Sequence, residues 1–361
     1  MSTILKIAAA IYVAWRLYRV LPPKKSLRLV VLAVYCLAAV AFVLATLNVT
    51  DSLPLWLASC IYVFGNGWLV FVAYAAIFFG LLDILRLMRL LPARLLERNA
   101  AVSIALFVIV AALMTYGTIH YRQKYRIEMT VASPKIKQPV KVVMLSDIHA
   151  GYIMRYKQLG RVVNMVNREK PDLVLLGGDL VDRRVTAATK DHDISCLLHL
   201  NAPVYACPGN HEYYAGLEAA AQFYDKCGIT LLKDSVATAC GLTLVGRSVL
   251  MKDDDVRPPL YKILRKADRS KYTIVLDHIP EDLMEAQLEK VDFQFSGHTH
   301  GGQLWPVTWL TRLGLENHYG ALTKGGTHYY VTSGIGVWGV PMRIGSRSEY
   351  LVLTLVPEEK S

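Results

Sequence analysis

The pattern of apolar positions divides the chain into two halves of different character. About the first 120 residues hold long apolar stretches with few charges, whereas the remainder alternates short apolar runs with polar turns. A helix needs about 20 apolar residues to cross a bilayer, and three stretches reach that length. They are residues 27–47, 55–82 and 100–119. We therefore predict a multi-pass membrane region followed by a soluble domain.

The opening stretch, residues 4–21, is apolar but includes Lys6, Arg16 and Arg19. Long basic side chains can extend from an apolar helix towards the headgroups, so we interpret this stretch as a further span. An interfacial helix and a retained, signal-like anchor are the alternatives. The predicted membrane region is residues 1–121, with about four spans.

Lysine and arginine are concentrated in two of the three connections between these spans. The connections at residues 19–28 and 86–98 carry four basic residues each, and the connection at residues 48–54 carries none. Because basic connections tend to stay in the cytoplasm, the domain after the last span should be extracytoplasmic, at the cell membrane. Three basic residues directly after that span weigh against this orientation: Arg122, Lys124 and Arg126.

Residues 122–139 are polar and basic and contain two prolines. We interpret them as a linker to a domain over residues 140–361, and their charge would attract anionic headgroups. The formal net charge of the chain is +11. The soluble half has no basic run interleaved with aromatic residues, so we expect membrane lipids as partners and no nucleic acid.

The soluble half contains apolar runs of the length typical of buried strands. These runs are residues 142–145, 172–176, 203–206, 272–276, 291–295 and 350–355. Residues 159–169 have the amphipathic spacing of a helix instead. Strands that alternate with helices predict a layered α/β domain.

Polar residues able to bind metal follow five of these runs closely. They are Asp147 and His149, Asp179, Asn210 and His211, His278, and His298 and His300. Each alone has a simpler explanation, such as a capping carboxylate or a hydrogen-bonded core histidine. Ligand-binding residues gather at strand ends in α/β proteins, so five such ends in one chain indicate a shared site.

The types of these side chains indicate which metals the site would bind. The set contains carboxylates, imidazoles and one amide, but no thiolate. This mixture suits Mn, Fe, Zn or Ni and disfavours Ca, which prefers oxygen ligands alone. Two ions about 3.5–4 Å apart, joined by a bridging carboxylate, would activate a water for attack on phosphorus.

In chain order these residues form motifs that resemble the calcineurin-like metallophosphoesterases. The motifs are Asp147-Ile-His149, Gly178-Asp179-Leu-Val-Asp182, Gly209-Asn210-His211-Glu212, His278 and Gly297-His298-Thr-His300. The resemblance covers residues 140–356 and leaves out the apolar half. The GHTHGGQ block and the segment 333–338 look most like a bacterial phosphodiesterase branch with membrane-associated members. The resemblance implies a four-layer αββα sandwich with two mixed sheets.

The resemblance also implies a role for each residue. One ion would be held by Asp147, His149, Asp179 and His300. The other would be held by Asp179, Asn210, His278 and His298, with Asp179 as the bridge. His211 would be the catalytic residue that stabilises the transition state or protonates the leaving oxygen. Asp182 and Glu212 would orient the ligands.

Two further residues are weaker candidates for contact with a substrate. Arg343 could bind a phosphate through its guanidinium group, and a structural ion pair is an equal alternative. His318 lies in the stretch after the GHTH block.

The resemblance and the apolar half together predict a membrane-anchored hydrolase with two divalent metal ions, among which Mn is favoured. Its expected substrate is a phosphodiester or pyrophosphate that is lipid-linked or membrane-associated. One alternative is a UDP-diacylglucosamine-type pyrophosphate hydrolase of lipid A synthesis, which the extracytoplasmic orientation opposes. The other is a non-catalytic sensor or interaction protein that binds metal.

Overall fold

The computed structural model describes residues 3–47, 49–183, 185, 194–251 and 257–358. The chain forms two compact units, residues 1–118 and 119–361. The first unit is helical, and the second contains both sheets and helices.

Four α-helices begin in the first unit. They are α1 (Thr3–Val20), α2 (Lys25–Thr46), α3 (Leu55–Leu87) and α4 (Ala100–Arg122). Short 3-10 helices at Val49–Ser52 and Ala93–Leu96 lie in two of the connections. In the described part of the chain, α2, α3 and α4 are long and apolar enough to cross a membrane. Helix α1 contains three basic residues and falls outside this group, so its span stays a prediction.

An ion pair neutralises one of the charges of α1. The guanidinium of Arg16 donates a hydrogen bond to the carboxylate of Asp83 in α3, and the hydroxyl of Tyr12 donates to the same carboxylate at 2.5 Å. Pairing offsets much of the cost of burying a charge, which allows α1 to pack against apolar helices. Gly65 of α3 lies directly on the backbone of α2 at Phe42, where a larger side chain would overlap.

Two mixed sheets of six strands each form the centre of the second unit. The first has the order β1-β12-β2-β3-β4-β5, with strands at Lys124–Ser133, Ser348–Pro357, Val140–Leu145, Leu173–Leu176, Val204–Ala206 and Ile229–Leu231. The second has the order β10-β11-β9-β8-β7-β6, with strands at Gly320–Lys324, Thr327–Val331, Phe293–Ser296, Thr273–Leu276, Leu242–Gly246 and Ser235–Ala239. Strands β2 to β5 are parallel to one another, and so are β7, β8, β9 and β11.

The described α-helices of this unit are α5 (Tyr156–Arg168), α6 (Asn210–Ala215), α7 (Leu217–Lys226), α8 (Leu260–Leu264), α9 (Leu283–Leu288) and α10 (Val307–Gly314). Helices α5 and α7 pack on the outer face of the first sheet. Successive side chains of β2 point into two different cores. Val143 packs with α5 and α7, and Val142 packs against the second sheet. Helices α8 and α9 pack on the far face of the second sheet. The predicted four-layer αββα sandwich is confirmed.

Residues 122–139 differ from the linker predicted from their polar composition. Residues Lys124–Ser133 form β1 and pair in parallel with β12 along their whole length. Alternate side chains of β1 pack into the core between the sheets: Ile127, Met129 and Val131. The intervening Arg126 and Glu128 are exposed. A strand at a sheet edge with one solvated face has charges at every second position, which made this segment look like a linker.

Candidate metal centre

Five loops converge at the carboxyl ends of parallel strands. In the first two loops, Asp147 donates its N–H to the carbonyl of Gly178 at 3.1 Å, and His149 donates to the carbonyl of Asp179 at 3.0 Å. The N–H of His298 donates to the carboxylate of Asp147 at 3.1 Å. This last bond joins a loop of the second sheet to a loop of the first. Both sheets therefore contribute to a single site.

Asp147, His149 and His300 form a first group of potential ligands. The Nε2 atom of His300 lies 3.4 Å from Oδ1 of Asp147 and 3.1 Å from Nε2 of His149. Donor atoms that bind one ion at about 2.0–2.2 Å lie about 3–4 Å from one another. The three side chains are therefore spaced as ligands of a single ion.

Asp179, His278 and His298 form a second group. The Nε2 atom of His278 lies 3.2 Å from Oδ2 of Asp179, and Oδ1 of Asn210 lies 2.7 Å from Nδ1 of His298. The Nδ1 atom of His278 lies 2.7 Å from the carbonyl oxygen of Gly177, which directs Nε2 into the group. That Nε2 is buried, and its near neighbour is Oδ2 of Asp179, another member of the same group.

Asp179 connects the two groups. Its Oδ2 atom lies 3.7 Å from Nε2 of His149 in the first group and 3.2 Å from Nε2 of His278 in the second. A carboxylate within reach of both groups can bridge a pair of ions. The structure thus brings together all seven ligands expected from the motifs, and their oxygen and nitrogen donors fit two transition-metal ions.

Burial keeps three of the histidines neutral, the form that binds metal. It lowers the pKa of His149 to about 3, lowers the pKa of His298 to about 4, and holds the pKa of His300 well below its usual range. His278 differs: burial would lower its pKa, but the charges of Asp179 and Asp147, with hydrogen bonds to Asp179 and Gly177, together raise the pKa of His278 to about 10. His278 therefore has to release a proton before its Nε2 atom can bind a metal ion.

His211 lies beside both groups. Its Nε2 atom is 4.0 Å from Oδ2 of Asp179, and its Nδ1 atom is 3.3 Å from Oδ1 of Asp182. Burial alone would lower the pKa of His211, but the charges of Asp179 and Asp182 outweigh it, and the net shift is upward. An upward shift favours the protonated ring, which is the form that a proton donor needs. His211 also completes a third group with ligand spacing, together with His149 and Asp179.

Glu212, near the start of α6, ties two loops together. Its carboxylate accepts hydrogen bonds from the N–H groups of Asp179 at 3.0 Å, Val181 at 3.1 Å and Gly209 at 2.7 Å. Burial and the charge of Asp179 raise the pKa of Glu212 to about 7. Because these partners are backbone groups, Glu212 is placed to hold the loop that carries Asp179.

Five residues of the site have left-handed backbone dihedrals, which side chains other than glycine seldom adopt. They are Asp147 (φ 55°), His149 (φ 50°), Asp179 (φ 53°), His298 (φ 68°) and His300 (φ 50°). Such dihedrals persist only where the surrounding contacts impose them, and they cluster at functional sites. They show that the loops are held in shape by the tertiary fold.

Glycines allow the backbone to approach the carboxylates closely. A Cβ atom at Gly209 would overlap the carboxylate of Asp179, and a Cβ atom at Gly297 would overlap the side chains of Ser146 and Asp147. The glycines of the GNHE and GHTH motifs are thus required by close packing at the ligands.

The position of Arg343 does not favour the first of its two predicted roles, contact with a substrate phosphate. Its side chain is fully buried. Its guanidinium donates hydrogen bonds to the carbonyls of His300, Ser333, Gly334 and Gly336 and to the hydroxyls of Ser346 and Ser348. Burial lowers the pKa of Arg343 to about 10, so it stays charged near neutral pH. Arg343 fastens the loop that carries His300 to the segment 333–338.

The segment 333–338 supports Asp147, a role that was missed in the sequence. The N–H of Gly336 donates to the carbonyl of Asp147 at 2.9 Å, and a Cβ atom at Gly334 would contact the Asp147 side chain. The buried carboxylate of Glu349 accepts a hydrogen bond from the N–H of Ser333 at 3.3 Å. The alternating glycines of this segment were the one signal of its role.

His318 lies in the wall of a neighbouring cavity of about 500 Å³. Gly301, which follows the ligand His300, is also in that wall. Three further basic residues line this space, which we call the side cavity: His120, Arg312 and Arg347. Burial and the charge of Arg312 lower the pKa of His318. The structure thus places His318 beside the ligand groups and not among them.

Known proteins share this motif set and fold. Residues 140–302, which contain all seven expected ligands, match the family model described as calcineurin-like phosphoesterase. An uncharacterized metallophosphoesterase of Helicobacter pylori is 33% identical over 243 residues, which are 65% of this chain and 64% of that protein. An uncharacterized metallophosphoesterase of Aquifex aeolicus is 34% identical over 245 residues, which are 64% of this chain and 90% of that protein.

One similar protein aligns across both halves of the chain. A transmembrane protein with metallophosphoesterase domain from Danio rerio is 30% identical over 368 residues, which are 92% of this chain and 81% of that protein. The chain spans about two thirds of the length of the Helicobacter pylori relatives, 64% in each case. The family predicted from the motifs is confirmed, and the chain belongs to the calcineurin-like metallophosphoesterases.

Proposed function

We propose that this chain is a membrane-anchored hydrolase that cleaves phosphodiester or pyrophosphate bonds with two divalent metal ions, Mn being favoured. The observation that carries the proposal is the position of Asp179, whose Oδ2 lies 3.7 Å and 3.2 Å from ligand atoms of the two groups. Family membership supports the same class of reaction. The complete set of ligands argues against a non-catalytic sensor.

In the proposed reaction, some residues of the chain position other groups and one transfers a proton. When bound, the metal ions supply an electrophile for the phosphoryl oxygens and lower the pKa of a bound water. Asp182 holds the Nδ1 side of His211, which leaves Nε2 directed at the ligand groups. The attacking water releases a proton to solvent, and its oxygen joins phosphorus as the P–O bond to the leaving group breaks. His211 gives its proton to the leaving oxygen.

Two features beside the metal centre favour a membrane-associated substrate. The side cavity is lined by Arg312 and by Arg347, which pairs with Glu349, and the positive charge of Arg312 would attract an anionic ester. Helix α10, which supplies Arg312 and Thr308 to that cavity, exposes a row of apolar side chains. These are Val307 at 46%, Trp309 at 59%, Leu310 at 62% and Leu313 at 84%. An apolar surface next to a basic cavity suits an amphiphilic or lipid-linked phosphate ester.

We further propose that the apolar helices cross the cell membrane several times and that the second unit lies outside the cytoplasm. Three helices of the described chain have the length and composition of spans, and the Danio rerio relative is named as a transmembrane protein. The basic connections favour the cytoplasm, which sets the orientation of the remainder. Membrane lipids are then the proposed partners of the helical unit.

A hydrolysis screen on the purified full chain with added Mn²⁺ tests the proposed reaction. The probes are an aryl phosphomonoester, an aryl phosphodiester and a lipid pyrophosphate. We expect turnover of the diester or the pyrophosphate, and a loss of about a hundredfold or more in Asp179→Ala, because both ions share that ligand. Asp225→Ala removes an exposed carboxylate of α7 and should change nothing.

Equal turnover by the Asp179→Ala and Asp225→Ala variants would contradict the proposal. Failure of the metal-loaded protein to cleave any of the three probes would favour the sensor instead.

A further inference from the structure

Basic residues from two separate connections meet around one cavity of the helical unit. The cavity has a volume of about 440 Å³ and is lined by Tyr18, Arg19, Arg28, Arg94, Glu97 and Arg98. The first two belong to the last turn of α1, the third to the first turn of α2, and the others to the connection between α3 and α4. We call this space the arginine cavity.

Contacts within the chain hold the walls of the arginine cavity in place. Arg28 donates a hydrogen bond to the carbonyl of Leu21 at 2.7 Å, and its guanidinium carbon lies 4.9 Å from the ring centre of Tyr18. The N–H of Arg98 donates to the carbonyl of Arg19 at 2.8 Å, which ties the α3–α4 connection to the end of α1. A cavity whose walls are already ordered loses less conformational entropy when a ligand binds.

The arginine cavity carries more positive charge than its own carboxylate can balance. Four arginines face one glutamate, and Glu97 pairs with Arg19. In the described residues no carboxylate forms an ion pair with Arg28, Arg94 or Arg98. Three uncompensated guanidinium groups around one space favour an anion, and the planar fork of arginine is suited to phosphate.

The position of the cavity identifies the source of that phosphate. It adjoins the first turn of α2 and the start of α4, which are both candidate membrane spans, so it lies at the depth of the headgroups. Leu27 and Leu29, the chain neighbours of Arg28, are 38% and 59% exposed, and Val30 is 61% exposed. Apolar side chains exposed beside a basic cavity can contact acyl chains, which free phosphate does not have.

We propose that the arginine cavity binds the phosphate headgroup of an anionic membrane lipid, with the acyl chains along α2. Basic pockets between spanning helices are known to take such headgroups. The site is separate from the metal centre and does not depend on the proposed reaction. A lipid bound there would link the two basic connections through one shared phosphate.

Lipid titration of the full chain in detergent, followed by native mass spectrometry, tests this site. The probes are phosphatidylglycerol, phosphatidylcholine and inorganic phosphate. The test variant is Arg94→Gln with Arg98→Gln. The matched control is Arg86→Gln with Arg89→Gln, which removes equal charge from the end of α3 and the residues just after it, outside the cavity. We expect about tenfold or greater loss of phosphatidylglycerol binding in the test variant and little change in the control.

Equal loss of phosphatidylglycerol binding in both double variants would show that the lipid responds to net positive charge and not to the arginine cavity, and would overturn the proposal. So would equal binding of phosphatidylglycerol and phosphatidylcholine, or displacement of the lipid by inorganic phosphate at the same concentration. Circular dichroism verifies that the variants fold. If the double variant does not fold, Arg94→Gln alone repeats the test, because the Arg94 side chain is exposed. Unchanged lipid binding by this single variant would also count against the site.

Discussion

The Nδ1 atom of His211 lies 3.3 Å from Oδ1 of Asp182, while Nε2 of the same ring lies 4.0 Å from Oδ2 of Asp179. A carboxylate at one ring nitrogen fixes the direction of the other. His211 is thereby aimed at the space between the two ligand groups.

This geometry predicts different effects for two substitutions. His211→Ala should keep its metal and lose turnover by about 10²- to 10⁴-fold, the usual contribution of a positioned acid or base. Asp182→Asn should lose about tenfold, because the ring keeps a neighbour but loses the charge that supports its proton. Metal content by mass spectrometry and kcat are measured on the same preparations. Loss of metal from His211→Ala would show that His211 is a ligand in the third group.

Metal binding should depend on pH through His278. Its pKa is raised to about 10, and only the neutral ring binds metal, so a proton has to leave at any lower pH. The apparent affinity for Mn²⁺ should therefore rise by up to about tenfold per pH unit between about pH 6 and 9. His149 and His298, with pKa values of about 3 and about 4, are already neutral in that range and add no dependence.

Calorimetry in buffers of different ionisation enthalpy measures the protons that leave on metal binding. We expect release of about one proton at pH 7. An affinity that stays flat over this range, with no proton released, would contradict the assignment of His278 as a ligand.

Arg343→Met should destabilise the second unit by about 3 kcal/mol or more, because several buried carbonyls lose their donor. Metal affinity should fall as well, since the carbonyl of His300 is among those partners. Arg161→Met, at an exposed position of α5, is the control and should shift stability by less than about 0.5 kcal/mol. Chemical denaturation gives both values. Equal stability of the two variants would mean that Arg343 does not fasten the loop.

Membrane orientation is accessible to cysteine labelling in a variant without its six native cysteines. Ser52→Cys and Lys137→Cys, both at exposed positions, should react with an impermeant maleimide on intact cells. Arg89→Cys lies in a basic connection and should react only after permeabilisation. Protection of residues 52 and 137 on intact cells would reverse the orientation.

The convergence of the candidate ligands was predictable from sequence because each follows a buried strand, and parallel strands in adjacent positions bring their ends to one edge. Asp147, Asp179 and His278 could thus be placed together before any distance was known. The role of Arg343 could not be predicted, since a lone arginine before a Gly-Ser turn gives no sign that six acceptors surround it. Its burial follows from the way distant loops fold over one another.

Strand β1 is a second feature that could not be predicted from sequence. Its alternation of apolar and charged residues is a strand pattern, but the polar face and the nearby prolines favoured a linker. Pairing with β12, more than 200 residues away in the chain, stabilises the strand. Such a partner is not visible in a local window of sequence.

The sequence by itself determined the division into an apolar half and a half of mixed composition, the family, and the identity of the candidate metal-binding side chains. These features depend on residue type and local spacing, which a linear pattern contains. Only the tertiary structure decided that Asp179 reaches both ligand groups, that Arg343 is buried, and that two basic connections enclose one cavity. Each of these depends on distances between segments far apart in the chain, and those distances are set by packing.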